Sequence, residues 1–167
     1  MIALKIKSIK NFMTKLLTTD TFDYFLFEEA VITMNLVFSI DGHQIFDFYT
    51  KEEREDMQLC PYPLVEWKVV REYVFSIIRG KRTPVNFRFV FHLKPEHMRS
   101  LLEKGDTAVS ADQMRAFVLN IKYDGTDLTL ISATAANTFL LDKTPDSIWD
   151  QAVMHFLDRA GLEYEET

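Results

Sequence analysis

Cysteine, glycine and proline are scarce in this sequence of 167 residues. The single cysteine, Cys60, cannot form an internal disulfide and has no basic neighbour in sequence, so we expect an incidental thiol and not a nucleophile. Five glycines and five prolines leave little material for a glycine-rich phosphate loop or a flexible linker. Low cysteine usage is typical of a cytoplasmic protein, which is the location we predict.

Long apolar segments are also missing. No apolar run approaches the length of a membrane span, and the first residues alternate like a strand instead of forming the apolar centre of a signal peptide. We therefore expect no membrane association. Hydrophobic residues make up 47% of the chain and charged residues 26%, which is typical of a globular protein and predicts a single domain over residues 1–167.

Positive charge is in deficit, because the formal net charge is −6. Bulk charge therefore excludes general nucleic-acid binding, and any such binding needs a local patch. Two segments are basic and contain no acid, residues 1–19 and residues 73–95. They supply one candidate anion or nucleic-acid patch, consisting of Arg79, Lys81, Arg82, Lys5, Lys7 and Lys10. The alternative is an ordinary solvated surface whose cations offset a helix dipole.

The first half of the chain predicts strands and one amphipathic helix. Residues 2–6 alternate as a strand, and Ser8 is a good N-cap for a helix over residues 9–17. Residues 22–27 and 30–40 predict two strands joined by a tight turn at Glu28-Glu29. After the turn signal Asp41-Gly42 we expect a short strand over residues 44–48, and Cys60 to Pro63 predicts a connection between two halves.

The second half repeats this order. A helix is predicted from Pro63 to a stop at Gly80, then a strong strand over residues 85–93. A helix begins at Pro95 and stops at Gly105. The further expectations are a hairpin of residues 114–123 and 126–133 around Asp124-Gly125, a short strand over residues 137–141, a helix over residues 145–160 and a frayed tail over residues 163–167.

Strand, helix and hairpin thus occur twice, in pseudo-repeat halves of roughly residues 1–56 and 64–141. We predict an α+β fold in which two βαββ-like units form an antiparallel sheet with helices packed on one side, plus a connecting helix and a C-terminal helix. Edge-to-edge pairing of two such units resembles one domain of the sliding DNA clamps in topology. That resemblance covers residues 1–140, includes no clamp sequence motif, and implies a ring only through self-association.

A second resemblance spans almost the whole chain. The stretches Asp20-Thr21-Phe22-Asp23, Ile40-Asp41-Gly42-His43 and Gly80-Lys81-Arg82-Thr83-Pro84, with the Phe-rich strand that follows, resemble an uncharacterised bacterial family found in gut Firmicutes. The resemblance implies a bacterial cytosolic origin and a domain of unknown function, and it implies no activity and no catalytic residues.

No chemical motif stands out. The histidines His43, His92, His97 and His155 are interpreted as structural or surface residues, since no further ligands lie near them in sequence. The carboxylate pairs Asp20 and Asp23, Glu28 and Glu29, and Asp124 and Asp127 are typical of turns. We therefore predict no catalytic, cofactor-binding or metal-binding residues, and no cofactor.

Our leading hypothesis is a non-enzymatic binding or assembly module, whose partner is an unknown protein or a second copy of the chain. The alternative is a nucleic-acid-associated, clamp-like protein that uses the local basic patch. A third hypothesis is an enzyme with an unrecognised site, which would require titratable groups gathered in a pocket.

Overall fold

The strands of this computed structural model, which describes residues 1–56 and 62–167, form one antiparallel sheet. Cys60 and Pro61 lie outside the described residues. The eight described strands are β1 (Ala3–Ile6), β2 (Phe25–Thr33), β3 (Val37–Asp41), β4 (Val65–Glu66), β5 (Asn86–Leu93), β6 (Met114–Tyr123), β7 (Leu128–Ala136) and β8 (Tyr164–Glu166). Their order across the sheet is β3-β2-β5-β6-β7-β1-β8, and the short β4 also pairs with β2.

Five α-helices are described: α1 (Ile9–Thr18), α2 (Lys51–Glu55), α3 (Trp67–Ile78), α4 (Pro95–Lys104) and α5 (Thr144–Arg159). Ser8 caps α1 as predicted, because its hydroxyl oxygen accepts a hydrogen bond from the Asn11 amide at 3.3 Å. Gly161 ends α5 with a φ of +69°, a left-handed conformation that glycine adopts without strain. None of the described helices is both long and apolar enough to cross a lipid bilayer.

The core lies on one face of the sheet. A single row across the strands contains Ala30, Phe89, Ile121, Leu130 and Leu4, and each of these side chains is fully buried. The helices α1, α3, α4 and α5 bury Phe12, Trp67, Met98 and Trp149 in the same cluster. The predicted α+β class, with an antiparallel sheet and a C-terminal helix, is therefore confirmed.

The opposite face is polar and partly exposed. The neighbouring row across the sheet contains Val31, Arg88, Lys122, Thr129 and Lys5. Two of its cations are ion-paired, since Arg88 contacts Glu29, and Lys5 lies 3.2 Å from Asp127. This alternation explains why the strands show a clear period of two in the sequence.

The predicted turn at Glu28-Glu29 is wrong. Both residues lie inside β2, where a β-bulge shifts the register between Phe27 and Glu29, and the chain turns instead after Thr33. The bulge adds one residue between the buried Phe27 and the buried Ala30, so both glutamates avoid the core. The bulge shifts the alternation of buried and exposed residues by one position. This shift gives the same sequence pattern as two strands joined by a turn.

Four other predicted elements also differ. Residues 46–48 form a 3-10 helix with an exposed Phe48 instead of a strand. The predicted strand over residues 137–141 is absent, because β7 already ends at Ala136. The connecting helix begins at Trp67 and not at Pro63, since Val65–Glu66 pairs with β2. The tail is ordered as β8, because the open side of β1 accepts another strand.

The two halves share an order of elements but differ in strand pairing. In the second half, β5, β6 and β7 are adjacent and α4 joins the first two. In the first half, β1 is separated from its hairpin β2-β3 by the whole second half. The strands of the first half are therefore not contiguous, and β1 lies between β7 and the edge strand β8.

Candidate functional site

A cavity of about 620 Å³ lies where α1, α4 and α5 meet the start of β2 and the end of β5. Its size is within the range of small-molecule sites. We call it the basic cavity, and it is lined by Lys15, Thr21, Tyr24, Phe25, Leu93, His97, Ser100, Leu101, Lys104, Trp149, Ala152, His155, Phe156, Arg159 and Ala160.

Aromatic rings form its apolar part. The rings of Phe25 and Phe156 meet edge to face with centroids 5.4 Å apart. The ring centroids of Phe25 and Trp149 are 6.5 Å apart, also in an edge-to-face arrangement. The Trp149 indole N–H donates to the Val118 carbonyl at 2.8 Å, which fixes the ring and satisfies its polar atom. Phe25 and Trp149 are nearly fully buried and form a rigid base beneath the cavity, whereas Phe156 is half-buried and supplies accessible apolar surface.

Three cations surround this apolar surface. Lys15, Lys104 and Arg159, which we call the cavity cations, lie in the last turns of α1, α4 and α5. None of them has an ion-pair partner among residues 1–56 and 62–167. No acidic residue of the described chain lines the cavity. The local charge is therefore positive in a protein whose net charge is −6.

The helix ends reduce this positive charge without cancelling it. A helix C-terminus carries the equivalent of about half a negative charge, whereas each cavity cation carries a full positive charge. Part of the role of Lys15, Lys104 and Arg159 is thus to offset the three helix dipoles. The remainder is available to an anion. Lys15 is half-buried, whereas Lys104 and Arg159 are exposed, so solvent screens their charge in the absence of a ligand.

Further polar side chains complete the lining. The ring of His97 meets the ring of Tyr24 edge to face at 5.7 Å, and the hydroxyl groups of Thr21 and Ser100 also line the cavity. His155 lies on α5, one turn before Arg159. These side chains can donate hydrogen bonds to the oxygens of a bound anion.

The predicted patch separates into two groups. Arg79, Lys81 and Arg82, which we call the loop cations, are exposed between α3 and β5, and no ion pair joins them to a described residue. Lys7 and Lys10 are also exposed, whereas Lys5 is half-buried and paired with Asp127.

The two basic segments reach the same end of the sheet but do not merge. β5 begins there, and β1 ends there, three strands away, which corresponds to roughly 14 Å between their backbones. The turn between β6 and β7 lies between them and carries Asp124 and Asp127. The pKa of Asp124 is lowered by hydrogen bonds from the Asp127 and Thr126 amides, so this carboxylate stays charged.

A third cluster of titratable groups has internal partners. His92 lies 2.7 Å from Glu28, Lys94 lies 2.9 Å from Glu66, and the Tyr62 hydroxyl donates to Glu96. Burial, the hydrogen bond and the charge of Glu96 raise the pKa of Tyr62 to about 12. Burial is the largest influence on the pKa of Glu96 and acts to raise it, but the hydrogen bond from Tyr62, a backbone hydrogen bond and nearby charge, including that of Lys94, together lower the net pKa. These groups satisfy one another and leave none free for a ligand.

In the described part of the chain, no group of three or more His, Cys, Asp or Glu side chains is placed to hold a metal ion. Sequence reasoning did not find the basic cavity, because its lining residues are spread from position 15 to position 160. One signal was available. Three amphipathic helices each carry a cation in the last turn, although the sequence does not show that these ends converge.

Comparison with known proteins gives a family and no activity. No curated protein and no solved structure matches the chain. A family model described as a family of unknown function, DUF5721, matches residues 15–165. This match confirms the expected family of unknown function over most of the chain. The chain belongs to this family, DUF5721.

Proposed function

We propose that this chain is a non-enzymatic binding module whose basic cavity takes a small anion with an aromatic or otherwise apolar body. The observation that carries the proposal is the combination of three unpaired cations with an aromatic surface and no acidic lining residue. The family of unknown function neither assigns nor excludes such a ligand.

The two kinds of lining supply different parts of the binding free energy. Burying an apolar ligand surface against Leu101 and Phe156 contributes about 25 cal/mol per Å². A charge-assisted hydrogen bond from Lys104 or Arg159 adds about 1.5–3 kcal/mol. A ligand with only one of the two features loses the other contribution, so the cavity selects for amphipathic anions.

A positively charged ligand is disfavoured because the charged side chains of the lining are cations. A ligand ammonium group would approach Lys15, Lys104 and Arg159 without a carboxylate in the lining to receive it. A neutral ligand of the same shape would keep the apolar contacts and lose only the electrostatic contribution. The order of affinity is therefore anion, then neutral compound, then cation.

Isothermal titration calorimetry with three naphthalene derivatives tests this order. The probes are 2-naphthoate, 2-naphthalenemethanol and 2-naphthylmethylammonium, which share one ring system and differ in charge. We expect 2-naphthoate to bind about tenfold more tightly than the alcohol, which corresponds to about 1.4 kcal/mol. Equal affinities, or tighter binding of the ammonium compound, would exclude the proposal.

A second candidate function is the nucleic-acid-associated one, and the exposed, unpaired loop cations are the observation that favours it. The acidic turn at Asp124 and Asp127 separates the loop cations from Lys5, so the basic surface does not extend as far as β1. Fluorescence anisotropy with a labelled DNA duplex at low and moderate salt tests it. Salt-sensitive binding that weakens in the double variant Lys81→Ala with Arg82→Ala would support it, and no binding at low salt would remove it.

The compartment and the source belong to the same proposal. We infer a cytoplasmic protein from the low cysteine usage, and a bacterial one from the resemblance of its Gly80–Pro84 stretch and the following strand to a bacterial family.

A further inference from the structure

Among residues 1–56 and 62–167, no strand pairs with the outer edge of β3, and its outward backbone groups have no hydrogen-bond partner over five residues. The Gly42 amide donates to the Glu28 carbonyl, and the Leu36 carbonyl accepts from the Met34 amide, so the backbone groups of these even-numbered positions point towards β2. Backbone direction alternates along a strand. The N–H and C=O groups of Val37, Ser39 and Asp41 therefore point away from the sheet.

This edge lacks the usual protection against pairing. It contains no proline and no lysine, and its one charged residue, Asp41, stands at the last position of the strand, where its carboxylate accepts from the His43 amide at 2.9 Å. The opposite edge differs. β8 is only three residues long, and Glu163, Glu165 and Glu166 surround it with negative charge.

Apolar side chains are also exposed on α3, which packs against β2, the strand next to β3. Val69 and Tyr73 on α3 are 55% and 68% exposed. Arg71, which contacts Asp23 at 2.7 Å just beyond α1, points about 200° around the helix from both. Since α1 packs on that Arg71 side, Val69 and Tyr73 lie on the flank of α3 that faces away from α1.

We propose that two copies of this chain pair their β3 strands antiparallel around Ser39, which makes one continuous sheet across a two-fold axis. Ser39 then lies opposite Ser39 of the second copy, and Val37 lies opposite Asp41 of the second copy. The outward backbone groups form about six hydrogen bonds. The exposed flanks of α3 approach each other above the joined strands.

Self-complementarity identifies a second copy as the occupant. The two-fold register brings no two charges of the same sign face to face, and it joins the apolar flank of one copy to the same flank of the other. The acidic β8 edge is a poor partner for a strand that ends in Asp41. This inference goes beyond the binding function, because the basic cavity lies among α1, α4 and α5, away from this edge.

Sedimentation velocity over about a hundredfold range of protein concentration tests the proposal. The wild-type chain should sediment as a species of twice the monomer mass of 19.6 kDa, with dissociation on dilution. Ser39→Pro removes an outward N–H and leaves the bonds to β2 intact, so this variant should be monomeric. Glu166→Pro, which removes an outward N–H at the opposite edge, is the matched control and should remain dimeric.

A charge pair at the two-fold axis distinguishes a second copy from any other partner. The variants Ser39→Lys and Ser39→Glu should each be monomeric, because like charges then lie directly opposite each other. An equimolar mixture of the two should form the dimer again. A wild-type chain that is monomeric at every concentration, or a dimer that both Ser39 variants leave unchanged, would overturn the proposal.

Discussion

The loop cations and the cavity cations are equal in number and differ in setting. Arg79, Lys81 and Arg82 are nearly consecutive, exposed, and separated from Lys5 by an acidic turn. Lys15 is half-buried and Lys104 and Arg159 are exposed, and these three residues are spread over most of the sequence, yet they surround one aromatic cavity. Density of charge along the chain is thus a poor guide to a binding site, and convergence on apolar surface is a better one.

The surroundings explain why a positive charge contributes different amounts of binding free energy at the loop and at the cavity. A cation on an open loop acts through water and salt, and its interactions are worth about 0–1 kcal/mol. A cation beside buried rings acts where water is displaced by the ligand, so the same contact is stronger. The comparison therefore predicts that substitutions in the two groups have unequal effects on the binding of an anion.

Filling the cavity should have the largest effect. Ala152→Trp places a large ring into the lining from α5, and we expect the affinity for 2-naphthoate to fall by about a hundredfold or more, because the ligand loses its apolar contacts. Isothermal titration calorimetry measures the loss. Gln151→Trp is the matched control, since Gln151 is the neighbouring, exposed residue and does not line the cavity. Equal losses in both variants would contradict this location.

Charge reversal should have the next largest effect and tests the comparison directly. In the double variant Lys104→Glu with Arg159→Glu, the affinity for 2-naphthoate should fall by more than about tenfold. The double variant Lys81→Glu with Arg82→Glu changes the net charge equally, and it should alter the affinity by less than about twofold. If the loop variant weakened binding as much as the cavity variant, long-range charge and not the cavity would account for the affinity.

Most of the fold was predictable because its strands and helices are strongly periodic. Phe87, Phe89 and Phe91 alternate and occupy the core as the pattern indicates, and Pro95 and Gly105 bound α4. The errors arose where a tertiary contact decided the outcome. The bulge at Glu28 is favoured by partners on β5, namely His92 and Arg88, that sequence spacing does not reveal. Likewise, β8 forms because β1 has a free side.

The basic cavity was not predictable for a different reason. Each of its charged residues has an ordinary local explanation, since a cation in the last turn of a helix offsets the helix dipole. Only the packing of α4 against α5 and the position of α1 bring Lys15, Lys104 and Arg159 to one opening. A single sequence contains no information on that convergence.

The smallest expected effect is on stability at high pH, and it comes from the cluster around Tyr62. Unlike both cation groups, the residues of this cluster have internal partners. The pKa of Tyr62 is raised to about 12 from an ordinary value of 10.0, so folding favours the neutral phenol. This contribution to stability is therefore fully present below about pH 10 and is lost as the pH rises towards 12. Absorbance titration of the phenolate, with Tyr62→Phe to assign the signal, measures the shift. Glu96→Gln should lower the pKa of Tyr62, and an unchanged titration would show that Glu96 is not its partner.

The location of the bound anion tests the central claim most directly. Two-dimensional ¹H–¹⁵N NMR spectra of the labelled chain, recorded during titration with 2-naphthoate, report which amides sense the ligand. We predict shifts concentrated at the residues that line the basic cavity, including His97, Ser100 and His155, with little change at Arg79, Lys81 and Arg82. Shifts confined to residues 79–82, or no saturable shift at all, would contradict a basic cavity that binds amphipathic anions.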